Sequence, residues 1–169
     1  GTNDWTVGAD VIHSAWEEKL LLSSTALRSA TNDWNDAVPT ATVFNVGVAS
    51  PRSNGDGDTM VAYCFHSVDG YSKVGYTGFR PAWIVIKTMT VTANHWAIRD
   101  NKRSPYNENL LSLYANLSIG DDTGGDAIAI DMLSNGFKAR RTNSQINESG
   151  TAYIYLAFAE IPFKYSNAR

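Results

Sequence analysis

The chain has 169 residues, of which 43% are hydrophobic, 11% aromatic and 18% charged, and its formal net charge is −3. This length allows one sizeable domain or two small ones, and a weakly acidic chain lacks the basic field that draws proteins to nucleic acid. No apolar run approaches the roughly 18 residues that span a membrane as a helix. We therefore expect neither nucleic-acid binding nor membrane insertion.

The main helical signal lies in residues 14–22, because Ser14 can cap a helix and Glu17 stands three residues later, at capping-box spacing. This spacing allows a turn or two of helix. The corresponding part of the second half contains Pro105 and Asn107, which favour an irregular loop that leads into a strand. Both readings stay open at this point.

Four stretches carry the signals of β-strands, through period-two alternation or β-branched composition: 60–68, 83–87, 95–99 and 151–161. The second follows Pro81, which can begin a strand but not sit inside one. Turns rich in Gly, Asn, Asp and Ser separate these stretches. The single cysteine, Cys64, falls in an alternating apolar run, and we expect a buried, inert thiol.

The chain repeats itself weakly, at an offset of about 91 residues from Trp5 to Trp96. Five matches keep the same order in both halves: 5–7 with 96–98, Glu17 with Glu108, Leu20 with Leu111, 43–47 with 132–136, and 57–65 with 150–158. We therefore predict an all-β antiparallel fold, a sandwich or jelly-roll-like pair of related units, 1–75 and 76–169. Whether the two units share one core stays open.

The duplication predicts a missing strand. In the second unit the strand at 81–87 precedes Trp96, whereas its counterpart in the first unit would fall before Gly1. The first unit would then lack its leading strand. Two explanations remain: the chain is a piece of a longer polypeptide, or a neighbouring chain donates the strand.

Several blocks are specific enough to indicate a family: 61–75, 76–87, 97–104, 131–138 and 152–169. They resemble, over nearly the whole chain, a domain of unknown function common in phages, especially marine ones. Such domains usually lie at the C-terminus of tail-fibre-like or other virion structural proteins. The resemblance implies a virion location and other virion proteins as partners, and it supplies no catalytic residues. Relatives often carry a Gly/Ser/Asn-rich loop where this chain runs from Val74-Gly75 directly into Tyr76.

Residues that could carry catalysis are scattered. His13, His66 and His95 are too far apart for a local metal motif, and no nucleophile elbow, zinc-protease helix or phosphate loop is present. Glu17, Glu18 and Glu160 define no pair of carboxylates at the separation that glycoside hydrolysis needs. We therefore expect no enzyme activity and no cofactor.

Two sets of charged residues are the remaining candidates for a binding role. Asp56 and Asp58 lie in a flexible loop and are weak calcium candidates, although the loop lacks a closing glutamate at EF-hand spacing and also fits a hairpin turn. Lys138, Arg140 and Arg141 form the longest cationic cluster, which we expect to decorate an exposed strand.

The aromatic residues divide into core and contact candidates. Three tryptophans are predicted to be core: Trp5, Trp83 and Trp96. Four residues near loops are candidates for a contact surface: Trp34, Tyr71, Tyr76 and Tyr106. Exposed aromatic rings stack on sugars and dominate protein interfaces, whereas the alternative role of these rings is to anchor loops by packing.

Three functions follow in order of preference. The first is a virion structural module, on a tail fibre or as a capsid decoration, that acts in assembly and adhesion. The second is a carbohydrate-binding domain that recognises the host surface, and the weakest is a glycan-degrading enzyme. Open sheet edges also favour a homo-oligomer.

Overall fold

The computed structural model describes residues 4–47, 52–68, 72–74, 77–123 and 126–161. These residues form one turn of 3-10 helix at Asp126–Ile128 and ten strands: β1 (Thr6–Val7), β2 (Glu18–Leu21), β3 (Ser29–Ala30), β4 (Ser72–Val74), β5 (Pro81–Thr88), β6 (Ala97–Asp100), β7 (Leu113–Tyr114), β8 (Ile130–Leu133), β9 (Gly136–Ala139) and β10 (Tyr153–Ala159). All strand pairs are antiparallel. The predicted all-β, antiparallel fold is confirmed.

The largest sheet has five strands in the order β4-β10-β5-β6-β7. β5 is central because its β-branched residues suit a pleated surface buried on both sides, and it pairs with β10 and β6. Pro81 begins this strand, as predicted, and the register shifts where it meets Ala159. A three-stranded sheet, β1-β2-β3, and the hairpin β8-β9 complete the architecture.

The two faces of β5 enter two different clusters. Ile84 and Ile86 point into a cluster that the hairpin β8-β9 covers with Ile130 and Met132. Val85 faces the other way and packs against a second cluster. The buried members of this second cluster come from both halves of the sequence: Ile12, Leu20, Met89, Trp96 and Ile154. Burial of such side chains contributes about 1.5–3 kcal/mol each.

One hairpin recurs in both halves. β1 pairs with β2 through Thr6–Leu21 and Val7–Leu20, and β6 pairs with β7 through Ala97–Tyr114 and Ile98–Leu113. The carbonyl oxygen of the tryptophan before each hairpin accepts a backbone hydrogen bond, Trp5 from Leu22 at 2.9 Å and Trp96 from Ala115 at 3.2 Å. The likeness does not extend to 60–67, so the division into two units and the jelly-roll arrangement stay predictions.

Several local predictions are wrong. Residues 60–67 form no strand, and Val68 takes part in an isolated bridge alone. Cys64 is exposed rather than buried. Trp5 is 52% exposed, whereas its counterpart Trp96 is buried. An alternating segment becomes a half-buried strand only when another strand pairs with it, and no described strand pairs with 60–67. Trp5 precedes β1, which has a described strand on one side only.

The helical reading of 14–22 is also wrong. Turns occupy residues 10–16, and the chain then enters β2 at Glu18. Trp16 takes a positive φ of 59°, which ends any helical path at that point. The loop-to-strand reading, drawn from the second half, describes this region.

Lys87 is a buried cation without a carboxylate partner among the described contacts. Its side chain is fully buried, and Nζ donates hydrogen bonds to the carbonyl oxygens of Thr88 at 2.9 Å and Thr25 at 3.5 Å. Burial lowers the pKa of Lys87 to about 8. The amine therefore links β5 to the 23–28 loop but costs free energy while it is charged.

We expect the destabilising contribution of Lys87 to the folded protein to shrink as the pH rises from about 8 to 10.5. The unfolded lysine titrates near 10.5 and the folded one near 8, so the unfolded state binds the extra proton between these values. The difference in unfolding free energy between the wild type and Lys87→Met should shift by up to about 3 kcal/mol in favour of the wild type across this window. Urea unfolding at several pH values measures this shift.

Lys138→Met is the matched control, because Lys138 is exposed on β9. Its difference from the wild type should stay constant with pH. A constant difference for Lys87→Met as well would contradict the assigned pKa of Lys87.

Candidate binding groove

A groove of about 1650 Å³ lies over the second face of the five-stranded sheet. One wall is β1 with the preceding Trp5, and the opposite wall is the segment 60–65. The floor includes four apolar residues of β5 and β10: Trp83, Val85, Leu156 and Phe158. Strand register brings these four together, since Phe158 pairs with Trp83 and Leu156 with Val85. We call this feature the open groove.

The wall segment 60–65 exposes bulky apolar side chains at alternate positions: Val61, Tyr63 and Phe65. Tyr63 is 70% exposed, and its ring lies 5.8 Å from that of Trp5 across the groove. Phe65 contacts the floor, with its ring 6.2 Å from that of Phe158. Within the part of the chain that the structure describes, the backbone of 60–65 forms no hydrogen bonds.

The opposite wall is the edge of a sheet. β1 pairs with β2, which pairs in turn with β3, so β1 has a strand on one side only among the described residues. The second edge of β1 therefore leaves backbone groups available at the groove. Two backbone edges thus border the same apolar floor.

A pair of indole rings closes one end of the groove. The rings of Trp16 and Trp34 meet edge to face, 5.5 Å apart, over Gly8, where a Cβ atom would lie within 2.9 Å of both rings. The Trp16 indole donates a 2.6 Å hydrogen bond to Asp10. Trp34 is 8% exposed, so the structure places it among packing residues rather than on a contact surface.

Of the other contact candidates, only Tyr106 is among the described residues. Tyr106 is 82% exposed but lies in the connection between β6 and β7, outside the groove lining. Tyr71 and Tyr76 lie outside the described residues. The groove presents the exposed aromatic residues Trp5, Tyr63 and Phe65, for which the sequence predicts a core position and two positions in a strand. The sequence signal that bears on them is the repeat, which predicts a further strand ahead of Trp5.

The charged candidates occupy structural positions. Asp56 and Asp58 are exposed in turns, and the described residues contain no group of three His, Cys, Asp or Glu side chains placed to hold a metal ion. Glu18 pairs with Arg28 at 3.2 Å, and Glu160 pairs with Arg80 at 2.6 Å. Glu18 and Glu160, two of the three glutamates considered for catalysis, are therefore held in ion pairs.

The cationic cluster on and after β9 is divided. Lys138 is exposed on the strand, whereas Arg140 forms ion pairs with Glu108 at 2.9 Å and Asp131 at 3.0 Å. Arg141 is exposed. Part of the positive charge is therefore neutralised within the protein.

The described residues include no helix long and apolar enough to cross a membrane.

The fold and groove define an all-β protein with an open apolar site. Comparison with protein-family models matches residues 1–162 to the family described as "Domain of unknown function (DUF7483)". This match covers most of the chain, and the chain belongs to that family. No curated protein and no solved structure matches it.

Proposed function

We propose that the chain is a non-enzymatic structural and adhesive module at the surface of a bacteriophage particle, on a tail fibre or as a shell decoration. The observation that carries this proposal is the open groove, whose wall exposes Val61, Tyr63 and Phe65 beside Trp5. Contiguous apolar surface of this kind marks a site of interaction with another macromolecule. Assembly with other virion proteins would cover it.

Two further observations support a role in assembly. The sequence blocks at 61–87 and 152–169 resemble domains that end virion structural proteins, which argues for a particle location. The outer edges of the sheets, at β3, β4 and β7, invite pairing with neighbouring chains, which also supports a homo-oligomer. The ion-paired Glu18 and Glu160 are typical of surface structure rather than of an acid–base pair.

Antibody labelling of intact particles, viewed by electron microscopy, tests the proposal. Label at a tail tip supports a fibre that reads the host, and label spread over the head supports a shell decoration. Antibody pre-absorbed with the purified chain is the control. Absence of specific label from every particle would overturn the virion assignment.

A second function, recognition of a host-surface glycan, is favoured by one observation. The exposed rings of Trp5 and Tyr63 stand 5.8 Å apart with 33° between their planes, and such rings can stack on sugar faces. Binding of the purified chain to a glycan array, lost in Trp5→Ala, would support it. Hydrolysis of a bound glycan would instead support the enzyme reading.

A further inference from the structure

We propose that the open groove accepts a β-strand from another polypeptide chain, an apolar strand of the same type as β5, laid between β1 and 60–65. This inference deepens the assembly role proposed above, on which it rests, by naming the class of partner. The test below uses the purified chain alone. Its failure is therefore distinguishable from the absence of label on particles.

The strand order in the second half of the chain indicates where the guest strand would lie. There, β5 lies between β10 and β6 and hydrogen-bonds to both. The repeat aligns 57–65 with 150–158, which leads into β10, and it aligns 5–7 with 96–98, which leads into β6. The position that corresponds to β5 therefore lies between 60–65 and β1. That position is the open groove.

The dimensions of the groove agree with one strand. Seven extended residues, at 3.3 Å per residue, 4.8 Å between strands and 10 Å between sheets, occupy roughly 1,100 Å³. The groove measures about 1650 Å³ over its whole lining, which exceeds the volume of one such strand. The rings of Trp5 and Tyr63 lie 5.8 Å apart and would have to separate to admit the guest.

The chemistry of the groove also selects a strand. A guest would find backbone groups to pair with at the free edge of β1 and along 60–65, and an apolar floor that includes Trp83 and Phe158. Main-chain pairing supplies affinity in such β-augmentation, and alternate side chains supply specificity. The guest should therefore carry a bulky apolar residue at every second position, as β5 does with Trp83 and Val85.

The described strands of this chain cannot supply the guest. Each of the ten already pairs within a sheet, and β5 itself is held on both sides. A second copy of the chain has the same strands in the same pairings. None of the described strands is therefore free to be the guest, and we assign that role to an apolar strand of a partner chain.

A synthetic peptide with the sequence of residues 80–88, flanked by lysines for solubility, tests the proposal. Titrated into the purified 169-residue chain, it should bind saturably with 1:1 stoichiometry. Tyr63→Asp should weaken binding by about tenfold or more, because it puts a charge on the apolar wall. Tyr63 is exposed, so this substitution should leave the fold intact, as circular dichroism would check.

Two matched controls sharpen the test. Tyr106→Asp changes an equally exposed tyrosine outside the groove and should leave affinity within about twofold of the wild type. A peptide with proline at the position of Ile84 lacks one ladder hydrogen bond and should bind about tenfold more weakly. No saturable binding, or equal binding by Tyr63→Asp, would overturn the proposal. A stable dimer of the chain that excludes the peptide would overturn it in favour of a second copy.

Discussion

Replacement of Arg99 by alanine will lower the free energy of unfolding by about 3–5 kcal/mol. Arg99 is fully buried, and its guanidinium donates hydrogen bonds to the carbonyl oxygens of Leu110 at 2.7 Å and Ile128 at 2.6 Å. It therefore joins β6 to the connection before β7 and to the 3-10 turn. Alanine would leave the carbonyl groups of Leu110 and Ile128 without these donors and open a cavity the size of the lost side chain.

Urea unfolding followed by tryptophan fluorescence measures this loss. Burial lowers the pKa of Arg99 to about 10, so the group stays charged at neutral pH and the loss should be constant between pH 6 and 8. Arg99→Lys keeps the charge but not the planar fork, and it should recover only part of the stability. Arg141→Ala, at an exposed arginine, is the control and should cost under about 0.5 kcal/mol. A loss below about 1 kcal/mol for Arg99→Ala would contradict the structural role.

Replacement of Asp33 by alanine should cost about 3–5 kcal/mol, because it leaves a buried ammonium group without its counter-charge. Lys19 Nζ lies 2.8 Å from Asp33 Oδ2, and the two side chains are 11% and 3% exposed. The pair connects β2 to the loop after β3. The backbone carbonyl of Asp33 also accepts a 2.7 Å hydrogen bond from Gly47, so the loop up to Gly47 depends on its position.

Three variants separate the effect of losing the Asp33 charge from the effect of losing its side-chain volume. Asp33→Asn keeps a hydrogen-bond acceptor and should cost less than Asp33→Ala. The double variant Lys19→Met/Asp33→Leu removes both charges at similar volume and should be closer to the wild type than Asp33→Ala alone. Glu18→Gln, at the partly exposed pair with Arg28, should cost under about 1 kcal/mol. Equal losses for Asp33→Ala and Glu18→Gln would show that burial of the Lys19–Asp33 pair has no consequence.

The strand predictions are confirmed where the segment pairs with another strand and are wrong where none of the described strands pairs with it. β5 and β10 follow from β-branched composition and period-two alternation, and each pairs along its length. The segment 60–68 shows the same alternation but forms no strand. Alternation reports which side chains can share a face, whereas a strand also requires hydrogen bonds from a neighbour.

The candidate site was predicted less well, because proximity to a loop does not establish exposure. Trp34 lies in a turn but is buried against Trp16, while Tyr106 is exposed outside the groove lining. The groove depends on long-range contacts, such as that between Trp5 and Tyr63, which no local pattern encodes. The sequence signal that bears on this region is the repeat, which predicts a further strand beside Trp5, and that strand stays a prediction.

The second cluster has a consequence for how the chain folds during synthesis. Ile12 and Leu20 are buried only with Met89, Trp96 and Ile154, and the Trp96 indole donates a 2.9 Å hydrogen bond to the carbonyl of Leu21. At roughly 5–20 residues per second, the ribosome adds Ile154 on the order of ten seconds after Leu20. The pair β1-β2 therefore cannot bury Ile12 and Leu20 completely until Ile154 has been synthesised. Contacts this distant in sequence also make folding slow. We expect the nascent chain to need protection from aggregation until its last long strand emerges.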